Sequence, residues 1–165
     1  MESLVRPIAG QYALSHSILT TSVKDLSDQE ARTRARGGSG ASIAWTIGHL
    51  CHHRTQVLGL LGRPKESPFA ARFGSTPASD GQDYPRLTEL MASWAALQSE
   101  LSAAFGAASA QQLERPMPNA GPHEEKKILD TVLFFAWHEA YHIGTIGTIR
   151  KELGRTAIAE LVTGK

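Results

Sequence analysis

Apolar residues recur at intervals of three and four in four stretches of the 165-residue chain, and this helical period limits the fold more than any other feature. The four stretches cover about 4–26, 41–61, 85–105 and 126–153. No stretch alternates apolar and polar residues as a half-buried strand would. The sequence therefore predicts an all-α four-helix bundle, built as a single domain over residues 1–165.

Two of the predicted connections are long. Residues 63–83 and 106–125 are rich in proline, glycine and small polar residues. Long connections favour overhand links between helices over simple up-and-down links. We expect the last helix to end at Gly154, followed by a short C-terminal tail. A chain of this length buries a core without a structural metal, so any bound metal can be functional.

Charge and cysteine content exclude several classes of partner. The chain has 17 basic and 16 acidic residues and a formal net charge of +1, which gives no electrostatic case for nucleic acid or an anionic membrane. No apolar run approaches the roughly 20 residues of a membrane span, and the N-terminus lacks a signal-peptide pattern. Cys51 is the only cysteine, as is ordinary in a reducing compartment. We expect a soluble, cytoplasmic protein.

Histidines gather in two of the predicted helices: His49, His52 and His53 in the second, His138 and His142 in the fourth. A spacing of four places His138 and His142 on one helix face, where both rings can bind one ion. Polar rings in an apolar seam need a partner, and bundle cores hold metal sites built from facing helices. The pattern favours a metal site over a pair of core histidines bonded to neighbours.

The second helix has three candidates for the remaining ligand. At about 100° per residue, His49 lies on the apolar side of that helix. His53 lies about 40° further round and His52 about 60° the other way. We therefore predict His49 as the ligand from this helix, with His53 as the second choice.

Residues 138–142 also spell HEAYH, the H-E-x-x-H string of zinc metalloproteases. The extended protease pattern needs glycine and histidine where this chain has Thr145 and Thr148, so we expect no protease. Glu139 flanks the predicted metal face. It could orient a ligand, accept a proton from bound water, or be a solvated helix residue, and the last alternative is favoured. Cys51 is about 200° from His49, so we predict that it packs in the core and that the site has no nucleophile.

Two segments carry a family resemblance: AWTIGHL at 44–50 and HEAYHIGTIGTIRKELG at 138–154. Together they resemble the DinB/YfiT-like superfamily, a group of four-helix bundles described as metal-dependent enzymes. The resemblance implies a three-histidine site with His49, His138 and His142 as ligands. It also implies transfer or isomerisation with low-molecular-weight thiols, or hydrolysis.

Three neutral imidazoles leave at least one coordination position open, as in a catalytic site. Imidazole ligands favour zinc or nickel, with iron as a third choice. We expect a small-molecule substrate, a thiol as the candidate cofactor, and a pocket wall formed by Trp45, His53 and Trp137. We also expect a homodimer. The rival interpretations are a non-catalytic metal- or ligand-binding stress-response bundle, and a structural interaction protein whose core histidines are satisfied by hydrogen bonds.

Overall fold

The computed structural model describes residues 4–74, 78, 83–117 and 126–164. Its four long helices are α1 (Val5–Val23), α3 (Ile43–Leu60), α5 (Leu87–Ala107) and α7 (Ile128–Glu152). Four short helices are α2 (Asp28–Arg32), α4 (Ala70–Phe73), α6 (Ala110–Leu113) and α8 (Ile158–Thr163). Over these described ranges there is no β-strand, only two isolated bridges. The predicted all-α bundle is confirmed, and each long helix begins and ends within three residues of its predicted limits.

Local sequence signals mark the limits of the two histidine-bearing helices. The Ser42 hydroxyl accepts a hydrogen bond from the Trp45 N–H at 3.1 Å and so caps the start of α3. Beyond α3 and α7 the chain turns at Gly62 (φ 82°) and Gly154 (φ 70°), in the left-handed region that favours glycine. The ends of the site-forming helices are therefore set locally.

Helices α3 and α5 run in the same direction. The Cys51 thiol lies 4.0 Å from the Leu90 carbonyl, and further along both helices Arg54 donates a hydrogen bond to Gln98. Parallel neighbours cannot be joined by a tight turn. This explains the long connection between α3 and α5.

Helices α1 and α7 form the other parallel pair. The Tyr12 hydroxyl donates to the Val132 carbonyl at 2.8 Å, and nearer the other end Arg150 donates to the Ser22 carbonyl. Tyr12 also contacts Phe105 near the end of α5, at 5.3 Å between ring centroids, and one turn later His16 contacts Trp94, nearer the start of α5, at 5.9 Å. Helices α1 and α5 therefore run in opposite directions. The bundle is thus up-down-down-up, which is the overhand arrangement that the long connections favoured.

The connection after α3 supplies part of the core. Short helix α4 ends at Phe73, which is fully buried, and is preceded by Phe69, which is nearly so. The sequence predicted a long connection here but no helix. Residues 75–77 and 79–82, and residues 118–125 of the second long connection, lie outside the described residues.

After Gly154 the chain forms α8, which packs on α1 and reaches α7, where Ile158 lies against Gly147. The predicted tail is therefore a packed helix. None of the helices in the described part of the chain is long and apolar enough to cross a membrane.

Candidate metal centre

His49 is held at the centre of α3 by the connection that follows that helix. Its Nδ1–H donates to the Phe73 carbonyl at 2.7 Å, and its ring stacks on Trp45 at 4.6 Å between centroids. The Phe73 ring fits against Gly48 so closely that a Cβ there would lie 2.6 Å from it. Because the ring proton is committed to Nδ1, the lone pair of His49 is on Nε2, which faces α7.

The two predicted ligands on α7 meet His49 across the helix interface. His138 Nε2 lies 3.3 Å from His49 Nε2 and 3.1 Å from His142 Nε2. The i, i+4 spacing therefore places both α7 rings against the ring from α3. His138 and His142 are half-buried rather than in the middle of the apolar seam, which passes through Ala136, Glu139 and Ile143.

A fourth imidazole completes the group. His49, His53 and His138 each offer a ring nitrogen within 4.8 Å of the other two, so these three form a cluster able to bind a divalent ion. The Nδ1–H of His53 donates to Gln56 Oε1 at 2.7 Å, which leaves its Nε2 lone pair free. The structure thus brings His49 and His53, the first and second of the three candidates on α3, to the site.

The histidines are neutral near pH 7. Burial, together with the neighbouring imidazoles, lowers the pKa of His142 to about 3 and that of His138 to about 4. Burial likewise lowers the pKa of His53 to about 4, and it lowers the pKa of His49. A neutral imidazole is the form that binds a metal ion.

The positions of the ring nitrogens fit a divalent cation. Ligands bound to zinc at 2.0–2.1 Å with tetrahedral angles lie about 3.3 Å apart. The two Nε2 separations here, 3.3 and 3.1 Å, are close to that spacing. Hydrogen bonds alone do not satisfy the three atoms, because a proton on His138 Nε2 can point to His49 or to His142 but not to both. A cation among them would accept all three lone pairs.

Glu139 is not the solvated residue that the sequence favoured, and that alternative is wrong. Its side chain is 2% exposed, and its two carboxylate oxygens accept hydrogen bonds from Arg54 at 2.7 and 3.0 Å. Burial raises the pKa of the Glu139 carboxyl, and the charge of Arg54 opposes that effect. Since arginine stays charged, the carboxylate is its counterion. A role in proton transfer remains a prediction.

Sequence reasoning missed Arg54. Its signal was present, because Arg54 lies between Leu50 and Leu58 on the apolar side of α3, and Glu139 lies in the apolar seam of α7. One charged residue of each sign inside two facing seams indicates a buried ion pair. The sequence-based prediction instead favoured a solvated Glu139.

The predicted wall residues differ in position. Trp45 is nearly buried and lies 6.3 Å from the His142 ring, and His53 belongs to the cluster itself. Trp137 is 59% exposed and stacks on Tyr141 on the outer face of α7. Cys51 is fully buried against α5, where burial raises its pKa to about 12, so the protein supplies no thiolate at this site.

Four neutral imidazoles that converge from two facing helices of a bundle form a group that could bind a divalent metal ion. The sequence pattern of the DinB superfamily matches residues 11–146, which include every member of the cluster. The chain therefore belongs to the DinB superfamily. No functionally curated protein matches it.

Proposed function

We propose that the protein binds a divalent metal ion through His49, His138 and His142, and that it is a metal-dependent enzyme acting on a small molecule. The observation that carries the proposal is the contact of three Nε2 atoms: His138 Nε2 lies 3.1 Å from that of His142 and 3.3 Å from that of His49. The hydrogen bond from His49 Nδ1–H to the Phe73 carbonyl leaves the lone pair of His49 on Nε2. The DinB superfamily match supports it.

His53 is the fourth candidate ligand and competes with His142 for the role of third. Its ring nitrogen belongs to the set within 4.8 Å, whereas His142 makes the shortest Nε2 contact, to His138. Zinc or nickel fits an all-imidazole set, with iron as the third choice.

The reaction class we propose is transfer involving a low-molecular-weight thiol, or hydrolysis. A divalent ion at this site would polarise a substrate oxygen or lower the pKa of a bound water or thiol. The thiol must come from outside the protein because Cys51 is buried as a thiol on the α5 side.

A groove of about 390 Å³ lies further along α7, lined by Tyr141, Thr145, Arg36 and Glu152 among others. It comes near the cluster through Tyr141, whose ring lies 5.2 Å from that of His142. This volume suits a small ligand. A groove with both a cation and a carboxylate suits a polar ligand, in an enzyme as in the non-catalytic binding protein that is the alternative.

Metal analysis tests the proposal. We expect wild-type protein purified without added chelator to hold about one divalent ion per chain, and His49→Ala, His138→Ala and His142→Ala to lose it. His53→Ala decides whether His53 is a fourth ligand. His16→Ala is the matched control, because the His16 ring stacks on Trp94 instead of joining the cluster. Metal retained equally by wild type and by the His49 and His138 variants would contradict the assignment.

A further inference from the structure

The Arg54 side chain of α3 donates hydrogen bonds to each of the other three long helices. From α3 its guanidinium donates to Glu139 of α7, to Gln98 of α5 at 2.9 Å and to the Tyr12 carbonyl of α1 at 3.2 Å. It also lies 3.3 Å above the centre of the Trp94 ring. The side chain is fully buried, so these partners replace water completely.

The strongest of these links joins the two helices that carry the histidines. Two parallel N–H groups of Arg54 bind the two oxygens of Glu139, a bidentate geometry that fixes both distance and orientation. Arg54 directly follows His53, and Glu139 directly follows His138. The ion pair therefore lies at the level of the bundle where the His53 and His138 rings are 4.8 Å apart.

Apolar contacts between α3 and α7 would not hold this alignment as tightly. Apolar cores tolerate repacking, whereas a helix that slides by one residue moves its side chains by about 1.5 Å. A metal site requires ligand distances within about 0.2 Å. A directional, buried bond beside the ligands supplies the missing precision.

We propose that the Arg54–Glu139 pair positions α3 and α7 so that the four imidazoles converge, and so sets the metal affinity of the site. Arg54 and Glu139 are positioning residues in this scheme and do not touch the ion. The inference rests on the proposed function, since it assumes that the cluster binds a metal.

The test is the double variant Arg54→Met, Glu139→Met. It removes one positive and one negative charge, so the net charge near the ion is unchanged, and it leaves no buried charge without a partner. The probe is cobalt(II), titrated into chelator-treated protein and followed by its visible absorption. We expect the affinity for cobalt to fall about 10–100-fold, as for other groups that orient metal ligands, and the band shape to change.

Arg150→Met is the matched control. Arg150 is also a fully buried arginine paired with a carboxylate, at 2.7 Å from Asp25, but it lies eight residues beyond His142 on α7 and bonds to the α1 side of the bundle. We expect this variant to lose stability while the folded protein binds cobalt within about twofold of wild type.

Arg54→Lys is the second variant and decides the question if the double variant fails to fold. Lysine keeps the charge but cannot make the bidentate bond. A several-fold loss of cobalt affinity in either variant, with native near-ultraviolet circular dichroism, supports the proposal. Wild-type affinity in a folded variant overturns this inference alone, whereas wild-type protein that takes up no metal overturns the proposed function as well.

Discussion

The two helices that carry the imidazoles differ in how much of each is enclosed by protein. Thirteen of the 18 residues of α3 are buried, against nine of the 25 in α7. On helix α3, the Nδ1 atom of His49 is fixed by the Phe73 carbonyl, and the neighbouring Gly48 packs against the Phe73 ring. Helix α7 presents its two histidines at the edge of a surface with exposed Phe134, Trp137 and Tyr141.

In the proposed site the difference would separate two tasks. The enclosed helix would hold one ligand in a fixed orientation, and the half-exposed helix would leave the other side of the cluster accessible. A catalytic metal site needs both, because rigid ligands set the geometry and an accessible side admits the substrate. The predictions that follow test this division by changing one helix at a time or the bond between the two.

The largest effect is expected where the two helices are joined. Glu139→Ala leaves the buried Arg54 charge without its counterion, which costs about 3–5 kcal/mol in the free energy of unfolding. Urea unfolding measures the loss. Asp25→Ala is the control and should cost less, because Asp25 is 36% exposed and Arg150 keeps carbonyl acceptors. A Glu139→Ala protein as stable as wild type would show that the Arg54–Glu139 pair does not hold α3 and α7 together.

The second-largest effect is expected from acidification, which should lower the free energy of unfolding of the metal-free protein. The folded-state pKa values of His53 and His138 are about 4 and that of His142 about 3, below the ordinary value of 6.5. The unfolded chain therefore binds more protons, so stability falls as pH drops below about 6.5. Between about pH 7 and 5 we expect the free energy of unfolding to fall by less than about 3 kcal/mol in total, because half-buried rings are partly screened by water.

Substitutions on each helix test the same effect in the urea measurement. His142→Gln on α7 and His53→Gln on α3 should each flatten the pH dependence between about pH 7 and 5, because both folded-state pKa values lie below that range. Stability that is unchanged or higher at about pH 5 would contradict the assignment of buried, neutral rings.

Two glycines allow the same substitution on each helix. Gly48→Ala on α3 should destabilise the protein by about 1–2 kcal/mol, because overpacking against the buried Phe73 ring outweighs the gain in helix propensity. It should also weaken metal binding, since Phe73 supplies the carbonyl that orients His49. Thermal unfolding and metal titration report the two effects separately.

Gly144→Ala on α7 should have the opposite effect and raise the free energy of unfolding. A Cβ at Gly144 meets nothing within 4 Å, so alanine should stabilise the helix by about 0.5–1 kcal/mol. The same thermal unfolding experiment checks it. Destabilisation by Gly144→Ala would mean that the outer face of α7 is covered in solution, by a second copy of the chain in the homodimer that we expect.

The smallest effect on folding is expected on the exposed face. Trp137 is 59% exposed, so Trp137→Ala should change the free energy of unfolding of the single chain by no more than about 0.5 kcal/mol. Light scattering during size-exclusion chromatography then tests the homodimer. A shift toward monomer in Trp137→Ala, with Leu14→Ala on exposed α1 surface as control, would place the subunit contact on α7.

Much of this protein could be predicted from periodicity and spacing. The four long helices, the Ser42 cap and the pairing of His138 with His142 all depend on residues within one or two helical turns of each other. Apolar period, capping and i, i+4 distances are local properties. Sequence letters alone therefore determine them.

Other features depended on contacts between distant residues. The sequence posed His49 and His53 as alternatives, but the structure brings both to the cluster. The two residues lie on successive turns of α3, and both of their rings contact the His138 ring of α7. The short helix α4 went unpredicted, although the backbone carbonyl at its end orients His49. Backbone carbonyls carry no sequence signature, so no pattern could have identified Phe73 in this role.

By itself, the sequence determined an all-α chain with four long helices, two of which carry clustered histidines. Only the tertiary structure decided that Glu139 faces Arg54 and not solvent, that Trp137 faces outward, and that four imidazoles share one site. The physical reason is that angle around a helix is fixed by residue number, whereas the height and rotation of one helix against another depend on packing across the whole bundle.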